Sequence, residues 1–101
     1  MILVIGSVVA RADTMPEVLA LTREHAERSR SEPGCVRYAA HLDMENPRKF
    51  VFVEEWADQA SLTQHFRLPL SRQFAKALAA LASESPSLAI YEAVRMEPQA
   101  R

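Results

Sequence analysis

The tripeptide Glu32-Pro33-Gly34 is the feature that most constrains the fold, because neither a helix nor a strand continues through it. Proline disfavours helical geometry in the residue before it, and glycine allows the positive φ angle of a tight turn. From Thr14 to about Ser31, apolar and small residues recur at the spacing of a helix. From Cys35 to about Met44, the residues are typical of a strand. The sequence therefore predicts a helix that ends at this turn and a strand that starts after it.

Further turn and cap signals divide the rest of the chain into short elements. Asn46-Pro47 marks a second turn, which predicts a hairpin, and Asp58 is placed to cap a helix. The other predicted elements are strands at Ile2–Ala10, Phe50–Ala57 and Leu88–Met96 and helices at Gln59–Phe66 and Ser71–Ser83. The order β-α-β-β-α-β, with the second helix split in two, predicts an α+β ferredoxin-like domain with an antiparallel sheet and helices on one face. We expect this domain to occupy residues 1–97, followed by a polar tail at residues 98–101.

The helices carry local signals for their ends and their buried sides. Thr14 followed by Glu17 matches a capping box, and Pro16 suits the first helical turn. The buried side of the first helix is predicted to carry Met15, Leu19, Thr22 and Ala26. In the last helix the inward residues are predicted to be Phe74, Leu78 and Leu81.

Residues of the third strand alternate between the two sides of the sheet. One side carries Phe50, Phe52, Glu54 and Trp56. Unpaired burial of a carboxylate is costly, so Glu54 is expected either at a partner charge or in a pocket. Four aromatic residues and one isoleucine supply more apolar surface than one layer of helices easily covers: Phe50, Phe52, Trp56, Tyr38 and Ile90. We expect a homodimer in which two sheets face each other.

Charge and composition limit the expected partners. The 12 basic and 13 acidic side chains nearly cancel and are interspersed, so neither nucleic acid nor an anionic membrane surface is expected as a partner. The longest apolar run, Met1–Ile5, is far shorter than the roughly 20 residues that span a bilayer, and it lacks the basic start of a secretory signal. The lone Cys35 opens a strand, which indicates a structural role in a reducing compartment. We therefore predict a cytoplasmic protein with a small-molecule partner.

Motifs for common cofactors are missing from the sequence. It contains neither a G-x-G-x-x-G pattern nor a P-loop, and His25, His41 and His65 do not have the spacing of metal ligands. Three histidines on different elements could still meet in the fold. The sequence nevertheless predicts no metal site and no cofactor.

Four segments of the chain resemble the antibiotic biosynthesis monooxygenase family, whose members form dimeric α+β barrels. These segments are SEPGCVRY at residues 31–38, Pro47 in the hairpin, FVFVEEW at residues 50–56 and HFRLP at residues 65–69. The resemblance covers nearly the whole chain, and it implies that Glu54, Trp56 and His65 line a cavity between the helices and the sheet. The family includes cofactor-free oxygenases of anthrones and quinols, haem-degrading enzymes and an isomerase of a phosphorylated signalling molecule.

Two departures from the family patterns bear on the chemistry. Members often carry a second histidine after the proline that here is Pro69, where this chain has Leu70. The haem-degrading branch uses an asparagine on the first strand, where this chain offers Gly6 and Ser7. The resemblance therefore favours neither a two-histidine site nor haem ligation by His65.

Cofactor-free oxidation of a phenol or anthrone by molecular oxygen needs a base, a closed apolar pocket and access for oxygen. In this hypothesis His65 accepts the substrate proton, because histidine exchanges protons near neutral pH, while Glu54 orients the histidine and Trp56 forms a stacking wall. The residues predicted to bind the aromatic substrate are Phe50, Phe52, Phe66, Tyr38 and Ser7. The residues thus predict an enzyme that needs only substrate and oxygen.

Three alternatives stay open from the sequence. The aromatic and titratable residues could simply pack the core, with Glu54 paired to Arg37 or Arg95. The domain could also be a binding module that holds an aromatic or lipophilic metabolite without turning it over. An isomerase of a small phosphorylated carbonyl compound is the third alternative, for which Arg67 and Arg72 would supply positive charge near the pocket.

Overall fold

The computed structural model describes residues 1–98 of the chain. Within this range the elements are β1 (Ile2–Val9), α1 (Met15–Arg30), β2 (Cys35–Leu42), β3 (Lys49–Trp56), α2 (Gln59–Arg67), α3 (Pro69–Leu81) and β4 (Ser87–Glu92). The strands form one antiparallel sheet in the order β2-β3-β1-β4. The predicted α+β ferredoxin-like architecture is confirmed. Most of the predicted polar tail, residues 99–101, lies outside the described residues.

Several element ends differ from the sequence-based boundaries by one to four residues, and two of these differences have a clear physical cause. The last strand ends at Glu92 because its ladder partner β1 starts there, with Glu92 opposite Ile2 and the Ala93 N–H bonded to the Met1 carbonyl at 2.9 Å. The last helix begins at Pro69 rather than at residue 71, because proline lacks only an N–H that the first helical turn leaves unused.

The first helix buries Thr22 and Ala26 as predicted, but its most buried side is turned further toward Val18, His25 and Ser29. Its buried residues are Val18, Thr22, His25, Ala26 and Ser29, whereas Met15 and Leu19 are only half-buried. The expected capping box is also wrong, because the Thr14 hydroxyl donates to the Leu81 carbonyl at 2.8 Å instead of capping α1. Contact with β2 and α3 therefore decides which residues of α1 are inward, and it brings His25 into the interior.

The two sides of the sheet differ in how they are covered. Burial alternates along β1 and β3, and the helices cover the side that carries Phe50, Phe52, Glu54 and Trp56. Tyr38 lies on this side as well. The apolar residues that we expected the helices to leave uncovered are therefore buried, except for Ile90, which is half-exposed. The surplus apolar surface lies on the other side, on Leu3, Ile5, Ala39, Val51, Val53, Ala89 and Tyr91. We call this side the open face.

None of the helices formed by residues 1–98 is both long enough and apolar enough to cross a bilayer.

Candidate active site between the helices and the sheet

A cavity of about 280 Å³ lies between the helix-covered side of the sheet and all three helices. This volume is at the small end of the roughly 300–1,000 Å³ that is usual for ligand pockets. The side chains that matter for its chemistry are His25, Tyr38, Phe52, Glu54, His65 and Phe74. Four of the residues predicted from the sequence, Tyr38, Phe52, Glu54 and His65, are thus brought together around one cavity.

The floor of the cavity is opened by a glycine in the middle of β1. A Cβ atom at Gly6 would lie 3.2 Å from Leu88 Cδ1 and 3.3 Å from the Ser87 carbonyl, so a larger residue would crowd β4. The neighbouring Ser7 was predicted to bind substrate. Its backbone borders the cavity, but strand alternation turns its side chain to the open face, where its hydroxyl bonds to that of Ser87 at 2.7 Å.

The histidine predicted to be the base is held by a carboxylate 33 residues away in the sequence. His65 Nδ1 lies 2.6 Å from Glu32 Oε1, and both side chains are almost wholly buried. When the carboxylate accepts the Nδ1 hydrogen, Nε2 is left as the ring atom that can take up a proton. The sequence hypothesis that Glu54 orients His65 is therefore wrong, because Glu32 fills that position.

The turn formed by Glu32, Pro33 and Gly34 explains how Glu32 reaches His65. Gly34 has a φ of 81°, and a side chain there would collide with Ser61 at the start of α2. The Gly34 carbonyl accepts from the Ala57 N–H at 2.8 Å, and the Asp58 carboxylate caps α2 by accepting from the Ser61 N–H at 2.8 Å. A turn that contains glycine thus docks closely on α2 and places Glu32 beside the same helix that carries His65.

Glu54 makes its own buried pair with the tryptophan two residues further along β3. The Trp56 indole N–H donates to Glu54 Oε1 at 3.0 Å, and both residues lie on the covered side of the strand. Burial raises the pKa of Glu54 to about 7, although the hydrogen bond from Trp56 opposes the rise. Glu54 is therefore a carboxyl group that exchanges its proton near neutral pH, and it has no need of Arg37 or Arg95 as a partner.

His25 is a site residue that the sequence analysis did not select. Its ring stacks on Phe74 with centroids 3.8 Å apart and a plane angle of 9°. Arg28 Nη2 lies 3.0 Å from His25 Nδ1. Burial, together with the nearby His65 and Arg28, lowers the pKa of His25 to about 3, so the ring is neutral. The signal in the sequence was helical spacing, because His25 continues the buried line of Val18 and Thr22.

Aromatic rings enclose the two histidines. Trp56 is fully buried and does not border the cavity, so the expectation that it forms a stacking wall for substrate is wrong; its ring lies behind His65, with centroids 4.6 Å apart. Tyr38 meets His25 edge to face, with centroids 5.3 Å apart. Burial also raises the pKa of the Tyr38 hydroxyl, which keeps it protonated. Phe66 borders the cavity and is partly exposed. Phe50 does not border this cavity, since it lies further along β3 beneath α1.

Several remaining polar groups limit the chemistry of the site. Ser71 borders the cavity, and its hydroxyl is buried without a hydrogen-bond partner among the described residues. Arg72 also borders the cavity, whereas Arg67 lies in a groove on the outer side of α2. Burial and the nearby Glu32 and Glu54 raise the pKa of Cys35, which disfavours the thiolate. Across residues 1–98, no group of three or more His, Cys, Asp or Glu side chains is arranged to hold a metal ion.

Comparison with known sequences identifies relatives of the chain. A family model described as antibiotic biosynthesis monooxygenase matches residues 1–77. An uncharacterised protein of a Synechocystis species is 33% identical over 91 residues, which cover 90% of this chain. The chain spans 62% of the length of that relative.

Solved structures of similar shape point the same way. A crystal structure of an antibiotic biosynthesis monooxygenase is 30% identical, with a TM-score of 0.86 and coverage of 94% of this chain and 100% of the other. A Deinococcus radiodurans protein provisionally described in the same terms is 26% identical, with a TM-score of 0.92 and full coverage of both chains (100%). A conserved protein of Methanosarcina mazei is 27% identical, with a TM-score of 0.85 and coverage of 89% of each chain. The fold, the matched residues and these relatives agree, and the chain belongs to the antibiotic biosynthesis monooxygenase family.

Proposed function

We propose that this protein is a cofactor-independent monooxygenase that oxidises a small electron-rich aromatic substrate, a quinol or an anthrone-type compound, with molecular oxygen. The observation that carries the proposal is the Glu32–His65 pair at the edge of an aromatic cavity. A carboxylate that fixes one ring nitrogen leaves the other free to act as a base. Fold alone does not select a reaction, so the proposal depends on this pair and on the cavity around it.

The reaction begins when His65 Nε2 removes a proton from the substrate hydroxyl or from its activated C–H group. The resulting anion gives one electron to oxygen, and the two radicals combine to form a C–O bond and a hydroperoxide. Cleavage of the O–O bond with loss of the carbon-bound hydrogen leaves one oxygen atom in a new carbonyl group. The second oxygen atom leaves as water with two hydrogen atoms, so the four electrons taken up by oxygen come from the substrate alone.

Glu54 has a separate part in this scheme. Because burial raises its pKa to about 7, Glu54 is protonated for part of the time near neutral pH. It borders the same cavity as His65 and can supply the proton that converts the departing oxygen to water. Trp56 supports both residues, by its hydrogen bond to Glu54 and by ring contact with His65.

The test is oxygen uptake by purified, metal-analysed protein with quinols, naphthoquinols and anthrones, with and without a chelator. We expect saturable uptake that the chelator does not abolish and that falls on the order of 10²- to 10⁴-fold in His65→Ala, the usual contribution of a general base. His41→Ala is the matched control, because His41 is exposed on an edge strand outside the cavity. Uptake no faster than a protein-free blank, or equal loss in both variants, would refute the proposal.

One observation favours a second candidate, isomerisation of a small phosphorylated carbonyl compound. Arg72 borders the cavity and would give a phosphate group a cationic partner. The support is weaker than for oxidation, because Arg67 lies away from the cavity. Absence of oxygen uptake, together with binding of phosphorylated sugars that depends on Arg72, would favour this candidate. Binding of aromatic compounds without any turnover would instead identify a binding module.

We also propose that two copies of the chain pair through the open face. The support is the concentration of apolar side chains there, including Ile5, Val53 and Tyr91, of which Tyr91 is 51% exposed. Light scattering should give the mass of a dimer, and Val53→Glu should give a monomer that keeps the circular dichroism spectrum of the wild type. A wild-type protein that stays monomeric at high concentration would contradict this pairing.

A further inference from the structure

The two histidines of the cavity have different hydrogen-bonding states, and the state of His25 follows from its contact with Arg28. A guanidinium group has only donors, so an Arg28 nitrogen 3.0 Å from His25 Nδ1 requires that Nδ1 accept. A neutral ring that accepts at Nδ1 carries its hydrogen on Nε2. The other terminal nitrogen of Arg28 lies 3.4 Å from Glu24 Oε1, which helps to hold the guanidinium in place. His25 is therefore fixed as a donor through Nε2.

In His65 the Nδ1 atom is a hydrogen-bond donor, whereas in His25 it is an acceptor. His65 Nδ1 faces Glu32 at 2.6 Å and donates to it, which leaves the Nε2 lone pair free. The two imidazole rings border one cavity, with centroids 5.3 Å apart. Within residues 1–98, His25 Nε2 and His65 Nε2 have no hydrogen-bond partner. Both atoms remain accessible, because neither is among the fully buried polar atoms that lack a partner. The cavity thus offers one donor and one acceptor side by side.

We propose that His25 and His65 together recognise a mono- or bicyclic aromatic compound that carries a hydroxyl group and a carbonyl group on neighbouring or peri positions. The carbonyl oxygen accepts from His25 Nε2–H, and the hydroxyl donates to His65 Nε2. The cavity volume of about 280 Å³ favours one or two rings over three. The inference rests on the proposed function for its choice of site, but it concerns binding and does not require turnover.

The pair also accounts for why a neutral histidine would be useful beside a base. After His65 takes the hydroxyl proton, negative charge spreads from the hydroxyl oxygen to the conjugated carbonyl. A fixed donor at that carbonyl stabilises the charge without transferring a proton, as preorganised donors do in other enzymes. The lowered pKa of His25 agrees with this role, because a neutral ring remains a donor without becoming a competing acid.

The first test measures the tautomer and the ligand preference directly. Long-range ¹H–¹⁵N NMR of the protein at neutral pH should show His25 protonated at Nε2 and unprotonated at Nδ1. Calorimetry should show that 8-hydroxy-1-tetralone binds about tenfold more tightly than 1-tetralone, which lacks the hydroxyl, since one hydrogen bond is worth about that factor. It should also bind more tightly than 6-hydroxy-1-tetralone, whose two oxygens are too far apart to meet both rings.

Variants separate the donor role of His25 from its packing role. His25→Phe keeps a ring against Phe74 but removes the donor, and it should lower affinity for 8-hydroxy-1-tetralone about tenfold. His25→Gln restores an N–H near the position of Nε2 and should recover most of that affinity. Arg28→Ala should mix the His25 tautomers in the NMR spectrum, whereas Arg28→Lys, which keeps a donor, should preserve the Nε2–H form.

Three results would overturn the inference: a His25 ring protonated at Nδ1, equal affinity for 8-hydroxy-1-tetralone and 1-tetralone, or unchanged affinity in His25→Phe. These outcomes are distinct from failure of the proposed function. Tight, His25-dependent binding without oxygen uptake would uphold the recognition and refute the oxidation. Oxygen uptake at equal rates with substrates that have and that lack the hydroxyl–carbonyl pair would uphold the oxidation and refute the recognition.

Discussion

Two carboxyl groups, Glu54 in the cavity wall and Glu32 behind His65, meet very different partners. Glu54 and Trp56, the strand pair, lie two residues apart on β3 and are joined by an indole N–H. Glu32 and His65, the turn pair, are joined across 33 residues by an imidazole. An indole donates but cannot carry charge, so burial dominates at Glu54 and raises its pKa to about 7. An imidazole nitrogen can donate to a carboxyl group and keep its second ring nitrogen free, as in the turn pair. The same carboxyl chemistry therefore gives a group with a raised pKa on β3 and, at the turn, a group that orients the ring of His65 on α2.

The largest expected effect concerns the turn pair. Glu32→Gln removes the charge that fixes the His65 ring, so we expect kcat/KM for oxygen uptake to fall on the order of 10²-fold. Glu17→Gln is the control, because Glu17 is an exposed glutamate on α1. Steady-state kinetics would check both variants, and a similar small change in the two would remove the turn pair from the mechanism.

In the strand pair, Trp56→Phe should reduce stability more than it reduces base function. The change leaves a buried carboxyl without its donor and opens space in the core, which together cost about 2 to 4 kcal/mol. It should also move the pKa of Glu54 further upward, since the Trp56 hydrogen bond lowers it. Urea denaturation would measure the loss. Phe52→Leu serves as a core control without a hydrogen bond, and an equal loss there would mean that the Glu54 contact contributes little.

The pH dependence of stability should distinguish Glu54 from His25. The folded protein keeps the Glu54 proton up to about pH 7, whereas the unfolded chain releases it near 4.5, so the wild type loses stability as pH rises through this window. Glu54→Gln should lack that loss and gain on the order of 1 to 3 kcal/mol relative to the wild type above it. Unfolding free energies across the window would check this, and a constant difference between the proteins would contradict it.

His25 supplies the opposite slope and therefore an internal control. Its pKa is lowered to about 3 in the fold, against 6.5 for the free side chain, so the unfolded chain binds the extra proton between these values. The wild type thus loses stability as pH falls through this window. His25→Gln should remove the loss of stability at acid pH while the loss that Glu54 causes as pH rises toward 7 remains. If His25→Gln and Glu54→Gln changed the same part of the curve of unfolding free energy against pH, the assignment of the two groups would be wrong.

The smallest expected effect is at the cavity floor. Gly6→Ala places a methyl group 3.2 Å from Leu88 Cδ1, so it should weaken binding of 8-hydroxy-1-tetralone a fewfold and reduce stability by about 1 kcal/mol, the low end of the cost of overpacking. Ser7→Ala should leave binding unchanged, because that side chain points to the open face. Calorimetry would compare the two. A larger effect of Ser7→Ala would restore Ser7 to the substrate-binding residues predicted from the sequence.

Much of the fold could be predicted from local signals. Turn residues at Gly34 and Pro47 and the cap at Asp58 fixed the order of elements, and most helix and strand ends were placed within a few residues. The last strand was drawn four residues too long, because its length depends on where β1 begins and not on its own sequence. On α1, Thr22 and Ala26 were correctly predicted to be buried, whereas Val18, His25 and Ser29 were missed, because contact with β2 and α3 decides how the helix is turned.

The candidate site likewise has features that local sequence predicts and features that depend on packing. Strand alternation alone placed Glu54, Trp56 and Phe52 on one side, because side chains two residues apart share a face. The choice of Glu32 as the partner of His65, the burial of His25 and the exclusion of Phe50 from the cavity required the packed structure.

The sequence by itself determined the elements of this protein, their order and the shared face of Glu54 and Trp56, since backbone period and turn chemistry act over a few residues. Tertiary structure alone decided which carboxyl group contacts His65. The physical reason is that the Glu32–His65 contact spans 33 residues and depends on how closely the Gly34 turn docks on α2. Local rules specify that turn, but only its packing against the helix converts it into part of a site.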